Sequence, residues 1–587
     1  MNLKNTPHYS FTYITLFLLN IALFITSCEK PPKYDLLLIN GNIYTMDDSN
    51  KKAEAVAVNE GKIVFIGNNT EVEKFRRENT EVIDLEGKTM TPGLIDSHAH
   101  FLGIGYNIMN LDLSSTSSYD EIVAMVADAA KSAEPGDWIL GRGWHQSKWN
   151  TQPEKIVKGF QTHELLSEVS PENPVFLRHA SGHAAFANAK AMEIAGVSTI
   201  DPEGMEMHEV EGGEIIRDEL GNPTGIFNET AMGIIGKHVP NENIESNSKA
   251  MELAFEECLK NGLTSLHDAS SDSLAIATYM NFVDEEKMKM RLYIMLSSSD
   301  TVLLNDWYAK GPAIGLGNDF LTIRAIKLYG DGALGSRGAW LLEEYNDRPG
   351  HFGHETTPMS YIEKVTTEGL ENGFQVCTHA IGDRTNREVL DIYEAAFEAN
   401  PKKAKNSRFR IEHAQHINGE DIPRIGELGV IPAMQAIHMS SDRPWAIERL
   451  GKERIEEGAY VWKKLLESGA KVINGTDAPV EPVNPIASFY ASVTRKTLAG
   501  EPEGGYEPSQ KMTREEALRS YTLDAAYGAF EEDIKGSIEV GKLADFTVYS
   551  QDIMTVAEDQ LLDTEIEYTI VGGKVAYKKD ENLSYKD

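Results

Sequence analysis

Apolar residues along the chain gather into runs of strand length, separated by longer stretches with helical spacing. Eight runs, at residues 94–98, 263–267, 292–296, 323–328, 374–378, 409–412, 430–434 and 472–476, are nearly continuous rather than alternating. That is the pattern of strands covered on both faces by helices. Amphipathic stretches intervene, such as 248–260 before the second run and 361–371 before the fifth. Eight such units over this length predict an α/β fold with a (β/α)8 barrel. The gap between the first two runs is far too long for one helix. Residues 101–246 are therefore expected to form a subdomain inserted after the first barrel strand, with strands of its own near 138–141 and 175–178.

At both ends the pattern shortens to strands punctuated by turn residues. Asn40-Gly41 between 35–39 and 42–45 predicts a hairpin, as does the polar turn between 53–58 and 63–67. Near the C-terminus, Gly572-Gly573 separates 568–571 from 574–577 in the same way. Two β-rich ends predict one small β-sandwich domain assembled from 34–91 and 535–587, with 92–534 as the barrel.

Ahead of this body, residues 11–25 form an apolar run that stops at Ile25-Thr26-Ser27-Cys28. Its length suits the core of a signal peptide and is short for a membrane span, although an uncleaved anchor remains open. The residues before Cys28 resemble a bacterial lipobox. Residues 1–27 then read as a lipoprotein signal peptide, Cys28 as the lipidated residue and 28–33 as a tether. The expected product is exported and lipid-anchored to a bacterial membrane, the outer membrane or cell surface by resemblance, with its body in water.

Composition narrows the function. The 587 residues are 41% hydrophobic and 25% charged, as in ordinary globular proteins, and the net charge is −35. A surface this acidic repels phosphate backbones and argues against nucleic-acid partners. Three cysteines cannot build a disulfide framework in this chain.

The chemistry gathers at the ends of the predicted strands. His98 and His100 stand two residues apart, so both side chains leave the strand on one face and can grip one divalent cation. Lys327 closes the fourth run, His379 follows the fifth, His413 ends the sixth and Asp477 ends the eighth. C-terminal strand ends are where barrel enzymes assemble their active sites. A lysine inside an apolar strand is not solvated surface; burial lowers its pKa, and a neutral amine reacts with CO2 to give an anionic carbamate.

Several motifs together carry a family resemblance. They are Pro92-Gly93-Leu94-Ile95-Asp96-Ser97-His98-Ala99-His100, Lys327 with Asp331-Gly332-Ala333-Leu334-Gly335-Ser336-Arg337, Thr378-His379-Ala380-Ile381-Gly382-Asp383, Ile411-Glu412-His413, Gly475-Thr476-Asp477-Ala478-Pro479 and Gly541-Lys542-Leu543-Ala544-Asp545. On these the chain resembles the amidohydrolase superfamily, in its YtcJ-like branch, over everything after the tether. The resemblance implies two divalent cations, Zn2+ above others. His98 and His100 would hold one, His379 and His413 the other, and carbamylated Lys327 would bridge them. Asp477 would complete the first site and act as acid/base. The implied reaction is hydrolysis of an amide, N-formyl or cyclic amide bond in a small molecule.

Other positions are weaker candidates for substrate contact. His183 lies in Ser181-Gly182-His183, which resembles a branch motif that commonly reads Asp-Gly-His. Trp144 could wall an apolar pocket, and Asp331 and Arg337 could orient substrate or brace a loop. His267 and His438 also follow barrel strands and are expected behind the ligands. Two other readings stay open: a mononuclear site with Lys327 unmodified and paired to Asp331, and a lipid-anchored binding protein that has lost turnover. A homodimer is the base-rate expectation.

Overall fold

A computed structural model describes residues 34–146, 149–180, 184–197 and 213–579 of the chain. The expected signal peptide and tether, with Cys28, and His183 lie outside the described residues.

Eight parallel strands form the centre: β1 Leu94–Ala99, β2 Leu263–Ser271, β3 Arg291–Ser297, β4 Leu321–Tyr329, β5 Gln375–Ala380, β6 Arg410–His413, β7 Ile431–Met434 and β8 Ile473–Asn474. Each pairs with the next in chain order. Every predicted apolar run therefore contributes a barrel strand. The strands are buried along nearly their whole length because helices such as Ile244–Lys260 and Met359–Asn372 cover them. One hydrophobic cluster joins strand residues Leu94, Leu263, Leu292 and Ile411 to Phe255, Ile362 and Tyr393 of the helices.

The barrel is nearly closed, and the seam is made by the segment just after β8. Asp477 N donates to His98 O (2.7 Å), and His100 N donates to Ala478 O (2.8 Å). Asp96 pins the same seam by accepting from Thr476 N, Thr476 Oγ1 and His98 N. Burial pushes its carboxyl up to about 7, against these hydrogen bonds. Backbones approach so closely here that a Cβ on Gly475 would stand 2.5 Å from His98 N. Gly475→Ala is accordingly expected to cost roughly 1–3 kcal/mol through overpacking, read as a lowered melting temperature. An unchanged melt would show that the seam can relax.

The two chain ends form two facing sheets around a shared core that includes Leu36, Ile43, Val56, Ile83, Met90, Phe546, Val548 and Ile570. The pairing of Ala55–Asn59 with Lys62–Gly67, and of Ile566–Val571 with Lys574–Lys578, is antiparallel as expected. Gly572 and Gly573 supply the positive φ (56° and 73°) of the second turn. The first expected hairpin is a correction. Leu36–Ile39 belongs to the four-stranded sheet and Asn42–Tyr44 to the six-stranded one, so Asn40-Gly41 passes the chain between sheets. Leu36, Leu37 and Leu38 are all buried, and this strand takes its partners from Ala55–Asn59 and Glu81–Asp84 instead. The segment after β1 carries a separate six-stranded sheet, from Leu111–Asp112 to Pro223–Glu229.

Candidate metal centre

The strand ends surround a cavity of about 400 Å³ lined by His98, His100, Lys327, His379, His413 and Asp477, with Tyr329, Gln415, His438, Asp442, Trp445 and Glu481. The six sequence-derived ligand candidates thus face one space. Their delivery depends on more than strand alternation. In β6, Arg410 and Glu412 already occupy the inward face, so a regular strand would turn His413 away. A left-handed backbone at His413 (φ 72°) and Ala414 (φ 45°) brings the ring back to the centre. Asp477 is also left-handed, at φ 58°. Such non-glycine conformations persist where the surrounding structure holds them, and functional sites collect them.

The imidazoles are oriented from behind. Glu412 receives His98 Nδ1, so the ring presents Nε2 to the cavity. The Gln435 amide donates to Ala433 O (3.0 Å), which leaves its carbonyl oxygen to accept from His413 Nδ1 (2.6 Å). His413 therefore also offers Nε2. This is how metal-binding histidines are usually held. Burial, with Lys327 nearby, pushes His98 down to about 4 and His379 down to about 3, so both rings are neutral donors at neutral pH.

Glu412 is itself held by Arg410, whose Nε and Nη2 donate to its two oxygens at 2.7 and 2.9 Å. Arg410 also reaches Ser97 O (2.6 Å) and His267 Nδ1 (3.1 Å), which fixes His267 below the cavity. Burial alone would raise the Glu412 carboxyl, but Arg410 and His98 outweigh it and hold it well below the ordinary range. At Asp477, burial is likewise outweighed by His100, His98, His413 and His438, so the carboxylate is ionised. Its Oδ1 lies 3.2 Å from His100 Nε2 and 3.5 Å from His98 Nε2.

Lys327 is fully buried, with Nζ 3.3 Å from His98 Nε2, and desolvation lowers its pKa. Around this space His438 Nε2 and Asp477 Oδ1 have no hydrogen-bond partner, and His379 Nε2 has none either, its approach to Asp331 Oδ1 being 3.5 Å. Orphaned imidazole and carboxylate atoms around one cavity are a donor set that fits a divalent cation. His98, His100 and Asp477 form one group of potential ligands, and His413, His438 and Asp477 a second.

The weaker candidates stand behind or away from the cavity, Asp331 nearest to it with Oδ1 3.5 Å from His379 Nε2. Trp144 is fully buried in the inserted sheet's core, with Nε1 donating to Leu177 O (2.9 Å). Asp331 accepts from Trp340 N, Ile381 N, Gly382 N and Thr385 Oγ1, so it ties two loops together. No Lys327–Asp331 ion pair occurs among the described residues. Arg337 is paired with Asp347 (2.8 Å). None of the three lines the cavity. Sequence reasoning passed over Glu412, Arg410 and Gln435 as site residues. Two charged residues at i and i+2 of an apolar strand were a usable signal for the first pair; Gln435 gave none.

Comparison with known proteins identifies the family. The profile of a family described as the amidohydrolase family matches residues 81–577. "Protein LONG AFTER FAR-RED 3" of Arabidopsis thaliana is 32% identical, covering 92% of this chain and 91% of its own. The "N-substituted formamide deformylase" of Arthrobacter pascens is 28% identical over 93% of this chain and 98% of its own. Among solved structures, an uncharacterized metal-dependent hydrolase from Pyrococcus furiosus superposes with a TM-score of 0.72 at 28% identity, covering 89% of this chain and 100% of that one.

Proposed function

The chain belongs to the amidohydrolase family, and from that premise we propose that it hydrolyses C–N bonds of small molecules with the help of divalent cations. The observation that carries this reading is the convergence of His98, His100, Lys327, His379, His413 and Asp477, from five separate strand ends, on one cavity. In this reading His98, His100 and Asp477 hold one cation, and His379 and His413 help hold a second. Nitrogen-rich donors favour Zn2+. Burial lowers the pKa of Lys327, which favours attack of its amine on CO2; the N–C bond would form, a proton would leave, and the resulting carbamate anion would supply a further oxygen ligand to the cations.

A bound divalent cation supplies Lewis acidity, lowering the pKa of water to about 7 and polarising a carbonyl. The protein's own residues do the rest. Glu412 and Gln435 keep the His98 and His413 lone pairs aimed at the cavity. Asp477 accepts the proton of the attacking water and returns it to the leaving nitrogen, a task its ionised carboxylate and position suit. Trp445 and Tyr329 give the cavity apolar wall for the substrate body. The substrate class we favour is amide, N-formyl or cyclic amide, supported by the similarity to a formamide deformylase.

Metal-depleted protein, reconstituted with Zn2+ and bicarbonate, is assayed against N-formyl, N-acyl and cyclic amides. Turnover that appears only with metal is the expected result. Cation-loaded protein that binds such compounds without cleaving any would give the site to a binding protein instead.

We further propose that the chain is exported and anchored through a lipid on Cys28, on the strength of the apolar run at 11–25 and its boundary. Among the described residues, no helix is long and apolar enough to cross a membrane. Cys28→Ser is expected to abolish fatty-acid labelling and move the protein from the membrane to the soluble fraction. Membrane retention of the variant would point to an uncleaved anchor.

A further inference from the structure

His438 is the remaining imidazole of the cavity, and its position calls for a role. It sits in the first turn of the helix Ala436–Leu450, directly beyond β7, where its N–H donates to Gln435 O (3.1 Å). The residue is 9% exposed and lines the cavity. Its Nε2 has no hydrogen-bond partner and lies 3.7 Å from Asp477 Oδ2. The ring is nearly parallel to that of His413, at 13° with centroids 6.1 Å apart.

These contacts divide Asp477 between two neighbourhoods. Oδ1 is the oxygen nearest His98 and His100, at 3.5 and 3.2 Å, while Oδ2 is the one nearest His438. One ligand atom from each of His413, His438 and Asp477 lies within 4.8 Å of the others. Donors about 2.1 Å from a tetrahedral cation stand roughly 3.4 Å from one another. The spacing is thus one that a shared cation closes with small side-chain rotations.

We propose that His438 is a metal ligand: with His413 and Asp477 Oδ2 it holds the second cation, while His98, His100 and Asp477 Oδ1 hold the first. Asp477 then bridges the two positions by its carboxylate. Each carboxylate oxygen has two lone-pair directions, so bridging leaves room for the proton transfer assigned to it. The inference rests on the metal-dependent reading and adds to it a ligand from the seventh strand end. It also makes the second position richer in nitrogen than His379 and His413 alone would make it.

The test is metal stoichiometry and affinity, measured on the full chain without reference to turnover. Metal-depleted parent and His438→Gln are titrated with Co2+, followed by elemental analysis and by visible absorption. The expected result is two cations for the parent. For the variant, one cation is retained and the second is bound at least tenfold more weakly, with a changed absorption band. His438→Asp, which restores a ligand of a different type, should recover the second cation with a shifted spectrum, and it serves where Gln is not tolerated. Two cations bound by His438→Gln with parental affinity and spectrum would overturn the inference alone. The same holds for an unaltered spectrum in His438→Asp. A parent that binds no cation would overturn it together with the reading on which it rests.

Discussion

Asp477→Asn is expected to lower kcat/KM for amide or N-formyl substrates by roughly 10²–10⁴-fold, the usual scale for removing a positioned acid/base. The amide matches the carboxylate in shape but cannot accept the water proton. The surrounding imidazoles hold the native group ionised against the pull of burial, so it is in its proton-accepting form throughout the neutral range. Because Oδ1 also lies 3.2 Å from His100 Nε2, the variant will bind cations more weakly. Kinetics are therefore measured at saturating metal, with metal content determined on the same samples. A fully metal-loaded variant within tenfold of the parent would remove the acid/base role from Asp477.

Much of this architecture could be read from the sequence because a parallel barrel writes a strong signal. Strands buried on both faces demand continuous apolar runs, and those at 263–267 and 323–328 grew by a few residues at their ends into β2 and β4. The ligand candidates were legible for a related reason, since His379, His413 and Asp477 are polar interruptions where apolar runs end. What was not legible lies in relations between segments. Asn40-Gly41 carries a hairpin signature, yet the choice between a hairpin and a crossing is made by which strands cover Leu37, and those come from 55–59 and 81–84.

The same limit applies inside the site. Asp331 and Trp144 look available in sequence. Asp331 is consumed by backbone N–H groups some fifty positions away, and Trp144 by the inserted sheet's own core. His438 was expected behind the ligands because residue order places it after a barrel strand without saying where its ring points. Its approach to Asp477 Oδ2 follows from where the helix Ala436–Leu450 begins. Left-handed backbone at His413 is likewise invisible in residue order, although it decides which way the ring faces.

Glu412→Gln should produce the largest loss of stability among single substitutions at this site. Arg410 and Glu412 are both fully buried, and the carboxylate is the partner to which Arg410 donates twice. Removing one charge of such a pair strands the other, at a cost of about 3–5 kcal/mol. Orientation is lost as well: a glutamine that turns its oxygen to Arg410 turns its NH2 toward His98 Nδ1, which favours the tautomer with hydrogen on Nε2 and takes that lone pair from the cavity. Loss of such a partner commonly weakens metal binding 10–100-fold. The two effects separate in the double variant Arg410→Met, Glu412→Leu, which removes both charges; it should recover much of the stability and none of the metal affinity. The pH dependence has a definite sign. The folded carboxyl is held below its unfolded value, so its contribution is complete above about pH 4.3 and fades as pH falls toward the depressed folded value. Denaturant melts of metal-free parent and Glu412→Gln should therefore differ most near neutrality and converge in acid. A constant difference down to pH 3 would mean that the lost stability comes from packing and not from the ion pair.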